Sequence, residues 1–112
     1  MIDETILARL RASMSDDGTI VRQLIDMYAK DSPKQLANAA AALERNEMDA
    51  LARAAHSLKS TSASMGATVV SGLALELEGH ARQNDAVRAA EALERLRTAV
   101  SDTVAVFAKM TF

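Results

Sequence analysis

His56 and the side chains spaced around it are the residues of this chain best placed to do chemistry. From position 54 the sequence runs Ala-Ala-His-Ser-Leu-Lys-Ser-Thr-Ser-Ala-Ser-Met-Gly-Ala. At about 100° of rotation per helical residue, Leu51, Ala54, Leu58, Ser62 and Met65 gather on one side, with Met65 opposite His56. Asp49, Ala52, Arg53, Lys59, Ser60 and Ala63 lie within about 60° of His56 by the same count. The imidazole therefore stands on a polar face among mostly small side chains. One turn on, Lys59 brings an ammonium beside it. A nucleophilic ring with a cation at i+3 and little bulk around it suits the holding of a phosphoryl group that a second protein can reach.

A helical scaffold must position these groups. A first short helix is expected over residues 3–14, with Ile6, Leu7, Leu10 and Met14 as its apolar positions and Asp3 and Glu4 at the positive end of its dipole. Ser15-Asp16-Asp17-Gly18 is a polar break, and Asp17 or Thr19 can cap the next helix. The second helix begins near Ile20 on a stripe of Val21, Leu24, Ile25 and Tyr28. Leu36, Ala39, Ala40 and Leu43 resume that stripe in phase. Pro33 between the halves predicts either one long kinked helix to about Arg45 or a break with Ser32 as a new cap, and the shared phase favours the former. Asn46 reads as the start signal of the third helix, with Asp49 in the place of a capping-box acid. That helix carries His56 and ends at Gly66, which suits a left-handed cap. A fourth helix is expected over 68–82 with Val70, Leu73 and Leu77 inward, followed by a turn at Gln83-Asn84-Asp85. The last helix shows the cleanest stripe: Ala90, Leu93, Leu96, Val100, Val104 and Phe107.

Short loops between long helices make antiparallel neighbours. The expected fold is all-α, an antiparallel up-and-down four-helix bundle with the short N-terminal helix across one end. The 112 residues suit one domain, residues 1–112, with one modest core. The net charge of −2 argues against a nucleic-acid partner. Without cysteine there are no disulfides and no thiolate zinc sites. The start Met1-Ile-Asp-Glu-Thr has neither the basic nor the apolar part of a signal peptide, and no apolar run approaches the roughly 20 residues that span a bilayer. A cytoplasmic monomer is the resulting expectation.

The hairpin of helices three and four adds a geometric point. If its turn centres on residue 67, positions whose numbers sum to about 134 share a height, which sets His56 against Glu78 at the helix seam. A carboxylate there could hold the Nδ1 proton and leave Nε2 as the lone-pair nitrogen. Glu78 could equally pair with Arg82 at i+4.

Ala55-His56-Ser57-Leu58-Lys59-Ser60, followed by Gly66-Ala67, resembles the signature of histidine-containing phosphotransfer (HPt) domains, often A-H-x-L-K-G with G-A beginning ten residues after the histidine. Leu77-Glu78 is similar to a Leu-Glu pair on the family's following helix. The resemblance covers almost the whole chain. It implies that His56 is a phosphoacceptor, moving a phosphoryl group between receiver-domain aspartates in a multistep two-component phosphorelay. Lys59 matches the lysine beside that group, Glu78 a position that orients the ring, and Gly66 the turn glycine. Ser60 replaces the usual glycine and adds bulk near His56. Response-regulator receiver domains, including that of a hybrid histidine kinase, are the implied partners, docking on a patch centred on Ala52, Arg53, His56, Lys59, Ser60 and Ala63 with an apolar rim from helix two. No cofactor or metal is expected on this chain, and Mg2+ is expected on the receiver.

Blander readings exist for each residue. A lone histidine or lysine on a helix is commonly a solvated surface group. His80, with Glu76 four residues before it, offers at most half a metal site. The dense serines and threonines of helix three suit hydroxyl bonds back to the carbonyl four residues earlier. The alternative function class is a non-phosphorylated helical interaction module that binds receivers. A kinase would need a glycine-rich nucleotide loop, which the chain lacks.

Overall fold

The computed structural model describes residues 2–14 and 19–110. They form five helices: α1 (Glu4–Met14), α2 (Thr19–Glu44), α3 (Met48–Ser64), α4 (Thr68–Arg82) and α5 (Ala86–Lys109). The side chains of Leu10 and Met14, and the break at 15–18 with its candidate cap Asp17, fall outside the described residues. The helices α2 to α5 pack in sequence order, and α5 returns against α2 to close a four-membered ring. This is the expected up-and-down bundle.

Three turns of the same construction make the bundle antiparallel. After α2, the Asn46 N–H donates to the Leu43 carbonyl and the Glu47 N–H to the Ala42 carbonyl. After α3, Gly66 and Ala67 donate to Ala63 and Ser62; after α4, Asn84 and Asp85 donate to Ala81 and His80. Each is a Schellman closure, with a left-handed residue satisfying carbonyls that the helix end would orphan. Those residues are Asn46, Gly66 and Asn84, with φ of 57°, 76° and 55°. Asn46 therefore terminates α2 and does not start α3. Helix three begins after Glu47 without a side-chain cap, so Asp49 completes no capping box and acts only as a first-turn acid. Asp85 does cap α5, accepting from the Arg88 N–H.

Helix α2 runs through Pro33 without a break. Ser32 is buried and its hydroxyl donates back to the Tyr28 carbonyl at 2.7 Å, so it does not act as a new cap. The core is built of leucine, valine and many alanines, which let the helices approach closely. One aromatic pair, Tyr28 and Phe107, meets edge to face at 5.7 Å. In α5 the buried alanines include Ala89 and Ala92, while Ala90 is exposed. The expected stripe is one position off at that end, because α5 faces both α4 and α2 and its apolar arc is wider than a single line.

The N-terminal segment straps the end of the bundle that holds the α3–α4 turn. Ile2 pairs with Ala67 as an isolated antiparallel bridge, and the Asp3 N–H donates to the Gly66 carbonyl at 2.6 Å. Asp3 also caps α1 through the Thr5 N–H. No helix among the described residues is long and apolar enough to cross a membrane.

Candidate functional site

His56 lies midway along α3, with 54% of its side chain exposed. Across the seam on α4, Glu78 is only 9% exposed. The three-residue turn fixes the register between them: His56 Nδ1 lies 3.1 Å from Glu78 Oε2. The ionised carboxylate has no proton to give, so the imidazole donates from Nδ1. In the neutral ring Nε2 is then the lone-pair nitrogen, and among the described residues no hydrogen bond engages it. The seam is pinned beside the site by the Ser71 hydroxyl of α4, which donates to the Lys59 carbonyl of α3.

Glu78 serves two further donors. Lys59 Nζ lies 3.3 Å from Oε1, and an Arg82 guanidinium nitrogen 2.9 Å from Oε2. The two partners that the sequence offered as alternatives, His56 and Arg82, bind the carboxylate together. Arg82 is thus the site residue missed by motif and face; its i+4 spacing from Glu78 was the available signal. Lys59, expected beside the imidazole, is engaged on the carboxylate that the imidazole also contacts.

Burial by itself pushes the Glu78 carboxyl up. Hydrogen bonds from Arg82 and Lys59, with the charges of Lys59 and His56, outweigh it and hold the group below its ordinary value of 4.5. A carboxyl whose folded pKa is depressed stabilises the fold above the unfolded value, and that contribution disappears as pH falls through the folded one. Glu78→Gln should therefore be less stable than the wild type at neutral pH, by about 1 kcal/mol. The difference should shrink towards zero as pH drops well below about 4.5. Urea titrations of both proteins across that range check this; a difference that ignores pH would contradict it.

Around the imidazole, Arg53, Ser60 and Ala63 are exposed as expected, but Ala52 is not. It is 1% exposed and belongs to the core. Helix α3 is packed by α2 on one flank and α4 on the other, so its buried arc is about 140° wide and reaches Ala52, roughly 40° short of His56. The accessible patch is thus Arg53, His56, Ser60 and Ala63, edged by Lys59. Further along α3 a groove of about 460 Å³ opens towards α2, with Leu24, Met27, Tyr28 and Met65 as its apolar lining. Thr61 and Ser64 line its other side, their hydroxyls bonded back to the carbonyls of Ser57 and Ser60. Away from the site, Glu76 pairs with Arg95 of α5.

Known proteins share this fold. The chain is similar to histidine-containing phosphotransfer protein B of Pseudomonas aeruginosa PAO1, with 31% identity and a TM-score of 0.89 over 96% of this chain and 91% of that one. A histidine-containing phosphotransfer protein of maize shares the fold at 22% identity, with a TM-score of 0.86 over 97% of this chain and 81% of that one. No curated protein matches the chain. The model of the Hpt domain family matches residues 23–105. That span holds the exposed imidazole, the buried carboxylate and the glycine turn that brings them into register, and the chain belongs to the Hpt domain family.

Proposed function

We propose that this protein is a phosphoryl carrier in a multistep two-component phosphorelay. In this reading His56 accepts a phosphoryl group from the aspartate of one receiver domain and passes it to another. The observation that carries it is the exposed imidazole held at Nδ1 by a buried carboxylate, which points the lone pair of Nε2 outward. Nε2 attacks phosphorus, and the phosphorus–oxygen bond to the donor aspartate breaks with its electron pair staying on that oxygen. The Nδ1 proton does not move. The ring becomes cationic, and Glu78 faces the new charge.

Such transfer depends mainly on positioning and charge stabilisation. Lys59 supplies a cation within reach of the phosphoryl oxygens, and Mg2+ is assigned to the receiver. The chain itself is a carrier, with its own side chain as the acceptor. Receiver domains, including one from a hybrid histidine kinase, are the proposed partners of a cytoplasmic monomer.

Docking is assigned to the exposed patch of Arg53, His56, Ser60 and Ala63, with an apolar rim from Met27 and Leu24 of α2. Ala63→Trp should place an indole about 20° from His56 by the helical count and block close approach. Transfer from a phosphorylated receiver is expected to slow by about tenfold or more, with helicity unchanged. Transfer at the wild-type rate would remove Ala63 from the interface. A chain that takes up no phosphate yet binds receivers would instead be a helical interaction module.

A further inference from the structure

Glu78 holds three donors with two oxygens: Lys59 on Oε1, and His56 and Arg82 on Oε2. This creates a difficulty for the carrier reading on which the present inference rests. Lys59 must turn to the phosphoryl group on Nε2, yet in the unphosphorylated chain its ammonium is committed to Oε1. Its departure would leave a nearly buried carboxylate with one fixed cation fewer, at the moment when two further negative charges arrive. Burying a charge is tolerable only while it stays paired and hydrogen-bonded.

Arg82 is the charge that can stay. It makes the shortest of the three contacts, at 2.9 Å. Its planar guanidinium presents N–H donors in a geometry that matches a carboxylate oxygen. It occupies the last turn of α4, where the helix dipole favours a cation. Oε2 has two lone pairs, so Arg82 and the Nδ1 proton can occupy it together. Lys59, on the longer 3.3 Å contact and on the other oxygen, is the exchangeable partner.

We propose that Arg82 is a positioning residue of the phosphotransfer site: it holds Glu78 Oε2 so that the carboxylate stays paired and aligned with His56 Nδ1 while Lys59 leaves Oε1 for the phosphoryl group. With Arg82 present, Glu78 retains a full counter-charge and Lys59 is released. With Arg82 removed, Lys59 is the last fixed cation on Glu78 and becomes captive.

The test uses the full chain and phosphoramidate as donor, so no partner need be identified. Nε2 attacks phosphorus, the phosphorus–nitrogen bond breaks, and ammonia leaves with the electron pair. Phosphohistidine is followed by 31P NMR, and the tautomer of the His56 ring by 15N NMR. Arg82→Gln should slow uptake by about three- to tenfold and reduce the Nδ1–H tautomer, and Arg82→Lys should recover most of both. The decisive readout is coupling. Lys59→Gln should slow the wild type by a comparable factor but slow Arg82→Gln by less than about twofold, since Lys59 is already captive there. An ordinary i, i+4 surface pair would show no such coupling. Uptake by Arg82→Gln at the wild-type rate, or losses that simply multiply, would overturn the proposal while leaving the carrier reading intact. A wild type that forms no phosphohistidine would overturn both.

Discussion

His56→Gln is expected to take up no phosphate from a phosphorylated receiver in the presence of Mg2+, while the wild type acquires an acid-labile, alkali-stable phosphate on that residue. The loss should be complete, since the nucleophilic lone pair is removed and the amide that replaces it has none of comparable reactivity. The fold should survive. The side chain is more than half exposed, and glutamine can still donate to Glu78, so the stability change should stay within about 1 kcal/mol. Phosphate location by mass spectrometry, with far-UV circular dichroism on the same samples, separates the chemistry from the fold. An undiminished phosphate signal in the variant would sink the assignment of His56. Equal receiver binding by both proteins, with phosphate on neither, would favour the interaction module.

The largest effect on stability should come from Gly66→Ala. At φ of +76° an L side chain costs about 1–2 kcal/mol. The added Cβ would also sit 2.5 Å from the Asp3 carbonyl oxygen, and the obstacle is backbone, which cannot rotate away. Relief requires the N-terminal strap to lift, with loss of the bond from the Asp3 N–H to the Gly66 carbonyl. A total of about 2–4 kcal/mol is expected, enough to lower the melting temperature by roughly 10 °C. Gly72→Ala is the matched control. It lies inside α4 with nothing within 4 Å of a new Cβ, so it should gain about 0.5–1 kcal/mol in helix propensity. Equal thermal stability of the two variants would show that the turn carries no such strain. Because the same turn sets the α3–α4 register, Gly66→Ala should also loosen the His56–Glu78 contact and slow phosphate uptake.

Much of this protein could be read from its residues in order. Period-3.6 stripes and turn residues located all five helices, and α4 spans the expected residues 68–82 between the glycine turn at Gly66 and the turn at Gln83-Asn84-Asp85. The polar setting of His56 followed from rotation alone. Its meeting with Glu78 followed from counting across one short turn, since a tight hairpin leaves little freedom of register. Tertiary structure decided what periodicity cannot express. Periodicity points the middle of a buried face but not its width, and the width depends on how many neighbours flank the helix. That is why Ala52 is in the core and Ala90 is not, alanine being too small to declare a side by itself. Asn46 suits a helix start and a left-handed helix end equally well, and only the closing bonds to Leu43 and Ala42 distinguish them. The sharing of Glu78 among His56, Lys59 and Arg82 was likewise beyond one-dimensional reading. Pairwise spacing offers partners one at a time, whereas a buried carboxylate in three dimensions gathers every donor that its two oxygens can satisfy.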